Sequence, residues 1–370
     1  MSIQKQRLLD TFIKYAATSS GTQNERALAD IIKADLAAFS YDVYEDTAGK
    51  ACGSNAGNIY FTSPGEPGAE PLLFSSHMDT VSPCENVEPV IRDGYVYSKG
   101  DTILGADDKA GIAAIVEAMR VVKEKGLKHR PIEAVFTICE EIGLLGSQHI
   151  EYDRLKAKQA VICDSSGDIG RIVTSAPGQN RIIANITGKP AHAGSAPENG
   201  VSALIAGAEA IANMKLLRID EETTANIGIF KSLGSTNVVS MEAYIEGEAR
   251  SRDQAKLDKQ TAHMEEEFRK ACAKHGAALD LQVIPCYKTY KHAEGEPLLD
   301  LIESKMVSLG CTILREPTGG GSDANIFNCN GIKAVTVGTG MDSEHTLNER
   351  LSIQNLTRLA EVMLALMVIE

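Results

Sequence analysis

Two glutamates, Glu140 and Glu141, stand side by side in "ICEEIGLLGS", directly behind the apolar run "IEAVFT". Adjacent carboxylates repel, and a strand entering a core has no use for them. Similar groups recur behind other apolar runs. His77 and Asp79 follow "PLLFSS", Asp164 ends "QAVICD", Asp107 and Asp108 sit in "GADD" ahead of "KAGIAAIV", and His345 lies in "DSEHTLNE". Carboxylates gathered without counter-charge raise each other's pKa and destabilise the fold. Divalent cations remove that conflict. Two imidazoles with several carboxylates suit zinc, with manganese or cobalt as close competitors. A pair of cations needs a bridging ligand, which a carboxylate supplies with its two oxygens, and water between them ionises near neutral pH. A carboxylate left off the metals can act as general base. Of Glu140 and Glu141, one is therefore expected to bind metal and the other to handle the proton. Each fragment alone has a plainer reading: a surface His–x–Asp pair, a solvated Glu–Glu turn, an Asp helix cap. Their order behind successive apolar strands points to chemistry.

The elements that must position these groups alternate along the chain. "PLLFSSHMD", "IEAVFTIC", "QAVICD" and "KAVTVG" are short apolar runs of the kind that form buried parallel strands. "DDKAGIAAIVEAMRVVKEKG" has helical period, an acidic start and a stop at Gly126, and "LSIQNLTRLAEVMLALMVIE" reads as a closing helix. This rhythm predicts a doubly wound, mostly parallel α/β sheet with helices on both faces. In such sheets ligands bind beyond the carboxyl ends of the strands, where these acids and histidines fall. The middle differs. "NRIIANIT", "VVSMEAYIEGEARS" and "ALDLQVIP" alternate as half-exposed antiparallel strands do, with helical stretches "GVSALIAGAEAIANM" and "DQAKLDKQTAHMEEEFRKACAKHG" between them. Residues 178–288 thus read as an inserted α+β domain, and residues 1–177 with 289–370 as the α/β domain.

Composition bounds the function. A chain of 370 residues predicts two domains, and 43% hydrophobic residues are enough for a real core. With 37 basic against 50 acidic residues, a net charge of −13 and no Lys/Arg cluster, neither a nucleic-acid nor an anionic-membrane partner is expected. The opening "MSIQKQRLLDTFIKYAATSS" reads as an amphipathic helix rather than a signal peptide, and there is no apolar stretch of about 18 residues. The eight cysteines are scattered without a CxxC pair, which predicts reduced thiols in a cytoplasmic protein and no Cys-ligated zinc site.

"SSHMDTV", "GADDKAG", "EEIGLLGS", "ICDSSG" and "SEHTLNE" resemble, in order, the motifs of the dizinc peptidase T, glutamate carboxypeptidase and aminoacylase family, with the first two most like peptidase T. The likeness covers nearly the whole chain. It implies that His77 and Asp164 bind one zinc, Glu141 and His345 the other, and that Asp107 bridges them. It makes Glu140 the general base and gives Asp79 a hydrogen bond to the far nitrogen of His77; Asp108 is expected to cap the helix. The inserted domain becomes a lid that carries a homodimer contact. His192 in "KPAHAGSAPENG" would donate to the developing oxyanion at a neighbouring subunit's site. Asn237, Arg250 and the loop residues Gly320, Gly321 and Ser322 would hold the substrate, although Arg250 could instead pair with a nearby glutamate. The activity implied is hydrolysis of short peptides by a zinc aminopeptidase of the tripeptidase type. A carboxypeptidase or N-acyl amino acid amidohydrolase is the alternative, and a metal-binding protein without turnover a remote one.

Overall fold

The computed structural model describes residues 2–39 and 41–369, so Glu370 of the closing run lies outside the described residues. The chain forms two compact units. The first comprises Met1–Thr174, His292–Pro317 and Ser322–Glu370, and the second Ser175–Lys291 with Thr318–Gly321. The second unit starts at Ser175, before the expected residue 178, because Ser175 and Ala176 pair with Lys291 and Tyr290 as antiparallel partners.

The first unit is built on a mixed sheet. Its centre is parallel, in the order Ile132–Thr137, Leu72–His77, Gln159–Ser165 and Lys333–Gly338. Antiparallel strands flank it: Ile59–Ser63 with Asp42–Glu45 at one margin and Arg171–Ala176 at the other. Leu72–His77 and Ile132–Thr137 are buried at every position, as continuous apolar runs covered on both faces should be. The helix Ala106–Lys125 is buried along most of its length, which its Ala- and Gly-rich first half permits. At Gly111 an added Cβ would come within 2.6 Å of Cys163 Cβ and Ser76 Oγ, so only glycine lets this helix lie so close to the sheet. Glu117, buried in the same helix, is matched by Arg7 at 2.7 Å from the N-terminal helix Lys5–Ala16.

A small sheet not foreseen from the sequence completes this unit. Pro89–Arg92 and Tyr95–Ser98 form a hairpin across Asp93–Gly94, both with positive φ as a two-residue turn of this hand requires. Arg350–Ser352 and Met341–Asp342 extend it to four strands.

The second unit is a five-stranded antiparallel sheet in the order Leu217–Arg218, Thr223–Lys231, Glu242–Ser251, Gly178–Thr187 and Ala278–Tyr287. Burial alternates along Gly178–Thr187, and Ile182, Ala184 and Ile186 pack with residues of the helices Ala203–Asn213 and Gln254–His275. All eight cysteines are free thiols. Among the described residues no helix is long and apolar enough to cross a membrane.

Candidate metal centre

Sheet register brings the chemistry together. Ser75 pairs with Ile162, so His77 and Asp164 each lie two residues further along parallel neighbours, at the same level. His77 pairs with Thr137 on the other side, and the chain leaving Thr137 carries Glu140 and Glu141. Asp107 comes from the start of the buried helix, where Asp107 and Asp108 depart from helical φ/ψ and are joined by a cis peptide bond. His345 comes from the loop before Arg350–Ser352, with φ of 60°.

Three groups of side chains have donor atoms close enough for one cation: His77, Asp107 and Asp164; Asp107, Glu141 and His345; and His77, Glu140 and Glu141. Asp107 is common to the first two. Its Oδ1 lies 3.0 Å from His77 Nε2, and its Oδ2 lies 3.2 Å from His345 Nε2. Asp164 Oδ1 is 3.9 Å from His77 Nε2, and Glu141 Oε1 is 3.1 Å from His345 Nε2. One carboxylate thus faces two separate nests of ligands with different oxygens, the arrangement a bridging ligand needs.

The charges fit cations. Burial and the neighbouring carboxylates push Glu140 and Asp164 well above the usual carboxylate range. Burial also raises Glu141. Burial works against a charge on His77, but Asp107 and Asp79 beside it pull its pKa well up. Asp107 and Glu141 raise His345 to about 10. Burial would raise Asp107, yet hydrogen bonds from His345 and His77 hold it below its ordinary value. Protons on the histidines thus do what two divalent cations do better: they offset four carboxylates in one crevice. The donor set of imidazole nitrogens and carboxylate oxygens suits borderline divalent metals. The cluster is a dinuclear metal-binding site.

Asp79 meets His77 with its backbone as well as its side chain. His77 Nδ1 lies 2.8 Å from the backbone oxygen of Asp79 and 3.5 Å from its carboxylate. A carbonyl only accepts, so Nδ1 carries a proton, and Nε2, which faces Asp107 Oδ1 at 3.0 Å, is the nitrogen a metal would take in place of a proton. The Asp79 carboxylate also accepts the N–H of Glu140 at 2.9 Å and of Glu141 at 3.2 Å, and the hydroxyl of Thr22 at 2.9 Å. It fixes the backbone of the glutamate pair. Asp108 does not cap the helix: its Oδ2 accepts from Ser76 Oγ at 2.5 Å and from the His77 N–H at 3.3 Å, tying the helix start to the strand.

Several supporting groups have no counterpart in the sequence reading. Glu349, 1% exposed, accepts the N–H groups of Gly105 and Asp107. Lys109, fully buried with its pKa pushed down to about 8, donates to the Thr18 carbonyl at 3.0 Å. Glu25 accepts the Cys139 N–H at 3.1 Å, next to Glu140. Asp323, directly after Ser322, accepts from Thr137 Oγ1 at 2.5 Å. Acids at 323 and 349 inside motifs already singled out were the available signal.

Of the remaining predicted residues, Ser322 is buried and caps the helix Asp323–Cys329, accepting the Ala324 N–H at 3.3 Å. The Gly320 N–H donates to Thr318 Oγ1 at 3.3 Å, and Gly321 lies where a Cβ would meet the Tyr287 ring at 2.5 Å. In the second unit, Arg250 Nε donates to Glu248 at 2.8 Å, the pairing foreseen as its plainer role. The Asn237 carbonyl accepts the Ala193 N–H at 2.9 Å, close to His192. His192 is exposed, and its Nδ1 accepts the N–H groups of Gly194 and Ser195, each at 3.2 Å.

A dinuclear centre at the carboxyl edge of a mixed α/β sheet, with an extra buried glutamate beside it, defines a metal-dependent hydrolase. The chain belongs to peptidase family M20/M25/M40, whose model matches residues 73–368. It is 38% identical over 364 residues to the uncharacterized protein YqjE of Bacillus subtilis (strain 168), covering 98% of each chain. Two solved structures are each 40% identical, covering 99% of this chain and 98% of theirs. They are the aminopeptidase PepT of Bacillus cereus ATCC 10987, with a TM-score of 0.89, and a tripeptidase of Staphylococcus aureus subsp. aureus Mu50, with a TM-score of 0.94.

Proposed function

We propose that this protein is a dizinc aminopeptidase acting on short peptides in the cytoplasm. The observation that carries the reading is the placement of Asp107 between His77 and His345 with a different oxygen toward each. The likeness to an aminopeptidase and a tripeptidase supports the substrate class. The free cysteines suit a reducing compartment.

His77 and Asp164 would hold one zinc, Glu141 and His345 the second, and Asp107 both. When bound, the pair supplies Lewis acidity toward the scissile carbonyl and toward the attacking water. Glu140 takes a proton from that water and returns it to the leaving amine nitrogen. Asp79 keeps Glu140 and Glu141 in register through their backbone N–H groups. His192, protonated on Nε2 because Nδ1 is an acceptor, would donate to the carbonyl oxygen as negative charge develops. Asn237, Arg250 and the Gly320–Ser322 loop would hold the substrate's carboxylate or carbonyl oxygens. We infer a homodimer formed through the second unit, residues 178–288 in outline, acting as a lid.

The test is a hydrolysis panel with the zinc-loaded protein: a free tripeptide, its N-acetylated form, its C-amidated form and an N-acetyl amino acid. Cleavage that requires the free amine is expected. Cleavage that ignores the amine but requires the free carboxylate would replace this reading by a carboxypeptidase or acylase.

A further inference from the structure

A basic cavity of about 520 Å³ lies beside the loop that carries His345. The hairpin strands Pro89–Arg92 and Tyr95–Ser98 form one wall, and the other comes from Ser343, Leu347, Asn348 and Arg350. Its lining includes Arg92, Lys99 and Arg350 and no carboxylate, in a chain whose net charge is −13. That is the reverse of what random placement of this chain's charges would give.

The cations are held for use. The Arg92 guanidinium lies over the Tyr97 ring at 4.6 Å, and that of Arg350 over Tyr95 at 4.7 Å. Stacking on a ring orients a guanidinium, and at Arg92 it leaves the edge N–H groups open to a planar anion. Arg350 is braced by Asp342 at 2.6 Å, and Lys99 by Glu88 at 2.8 Å. Such exposed pairs contribute little and yield readily to a competing carboxylate. Arg92 has no carboxylate within ion-pair distance among the described residues, so its charge is the least satisfied of the three. The hydroxyls of Ser98 and Ser343 and the amide of Asn348 add neutral donors around them.

The loop links this cavity to the metal centre. Ser343 and His345 both have positive φ, and Thr346 Oγ1 ties the loop by donating to the Ser343 carbonyl at 2.7 Å. Two residues of backbone span at most about 7 Å, and an extended tripeptide about 10 Å. Ser343 and Leu347 of the lining thus stand within about 7 Å of His345 along the backbone, so the cavity and a candidate metal ligand share one loop.

Resting on the aminopeptidase reading, we propose that this cavity is a carboxylate-binding subsite that selects peptides carrying an acidic group downstream of the scissile bond. That group is either a side-chain carboxylate or the C-terminus. The test compares kcat/KM for Ala-Ala-Glu, Ala-Ala-Gln and their C-amidated forms in the wild type, Arg92→Met and Arg92→Lys. Loss of one charge-assisted contact corresponds to about tenfold. The wild type should favour the carboxylate form by about that factor, Arg92→Met should erase the preference, and Arg92→Lys should keep part of it. A preference erased by Glu-to-Gln replacement marks the side chain as occupant, and one erased by C-amidation marks the terminus. Titration of the metal-loaded proteins with glutarate gives a second readout that needs no turnover; Arg92→Met should weaken its binding about tenfold, whereas chelation by the metals would be equal in both proteins. Equal peptide ratios in wild type and Arg92→Met overturn the proposal, as does equal glutarate binding. If none of the peptides is cleaved by the wild type, the aminopeptidase reading fails, and the glutarate titration alone decides whether the cavity binds carboxylates.

Discussion

The Glu349 carboxylate grips the backbone of Asp107: Oε1 accepts the Asp107 N–H at 2.9 Å while Oε2 accepts the Gly105 N–H at 2.7 Å. Asp107 faces both ligand nests, so its backbone must not drift. Glu349→Gln replaces one acceptor by an NH₂ group that confronts a backbone N–H. Groups that orient metal ligands typically contribute about 10- to 100-fold in metal affinity. Chelator competition should show a loss of that size in Glu349→Gln, with the far-ultraviolet dichroism of the wild type. Unchanged metal affinity would reduce Glu349 to a loop anchor.

The two adjacent glutamates should separate cleanly. Glu141 lies 3.1 Å from His345 and shares a ligand group with it and Asp107, whereas Glu140, buried, enters only the group with His77 and Glu141. Glu141→Ala is expected to lower bound metal, and Glu140→Gln to keep metal but lose turnover by about 10²-fold or more, the size of a general-base contribution. Metal analysis of both purified variants decides it, and equal metal losses would defeat this division of labour.

At Gly111 the buried helix lies directly against the sheet. A Cβ there meets Cys163 Cβ, which is fixed by its strand, at 2.6 Å and Asp108 Oδ1 at 2.7 Å. Gly111→Val overpacks the contact and should destabilise the first unit by about 1–3 kcal/mol. Because the same helix starts with Asp107, the variant should also bind metal less tightly. Urea unfolding of the metal-free protein measures the first effect; an unchanged midpoint would mean the helix shifts without loss.

How much of this could be read from residues alone follows from the range of the interactions. The four central strands were legible because burial on both faces demands unbroken apolar runs, as in Leu72–His77. His77, Asp164 and the glutamate pair could be placed on one edge because parallel register aligns strand ends. Thr223–Lys231 escaped because its half-exposed pattern, with Asn226 and Gly228, resembles a loop. Glu349 escaped because its partner Asp107 is 242 residues away, and no local pattern encodes that distance. For Asp79 the approach to His77 was legible, but its hold on the backbone of Glu140 and Glu141 was not. A carboxylate two positions past a histidine suggests a side-chain contact, yet the backbone carbonyl reaches Nδ1 first and frees the carboxylate for Glu140.

Acid sensitivity offers a probe at a residue outside the candidate ligand groups. Burial would raise the Glu45 pKa, but hydrogen bonds from Arg26, Lys33 and the Gly57 N–H pull it down to about 2. The unfolded value is about 4.3. A depressed carboxylate stabilises the fold above its unfolded pKa and loses that contribution as pH falls through the folded one. In metal-free protein, the stability gap between wild type and Glu45→Gln should therefore be full above about pH 5 and shrink toward about pH 2. Denaturant unfolding across that window checks it, and a gap independent of pH would show that the pairing adds nothing.

His192 is the residue on which the catalytic reading extends beyond the metal centre. Its Nδ1 accepts two backbone N–H groups, so the ring offers Nε2–H from an exposed loop, with no protein acceptor at that nitrogen among the described residues. If Nε2–H stabilises the oxyanion, His192→Ala should lower kcat by about 10²- to 10³-fold, as removal of one such donor does elsewhere, and leave metal content intact. The ring then either serves its own subunit or reaches a neighbour. Mixing His192→Ala with Glu140→Gln separates the two, because a mixed dimer with histidines working across the interface contains one site with both groups intact. Recovery of activity after subunit exchange is the expected result. With exchange verified by mass and no recovery, the histidine cannot work in trans, and the dimer would have to be explained without catalysis.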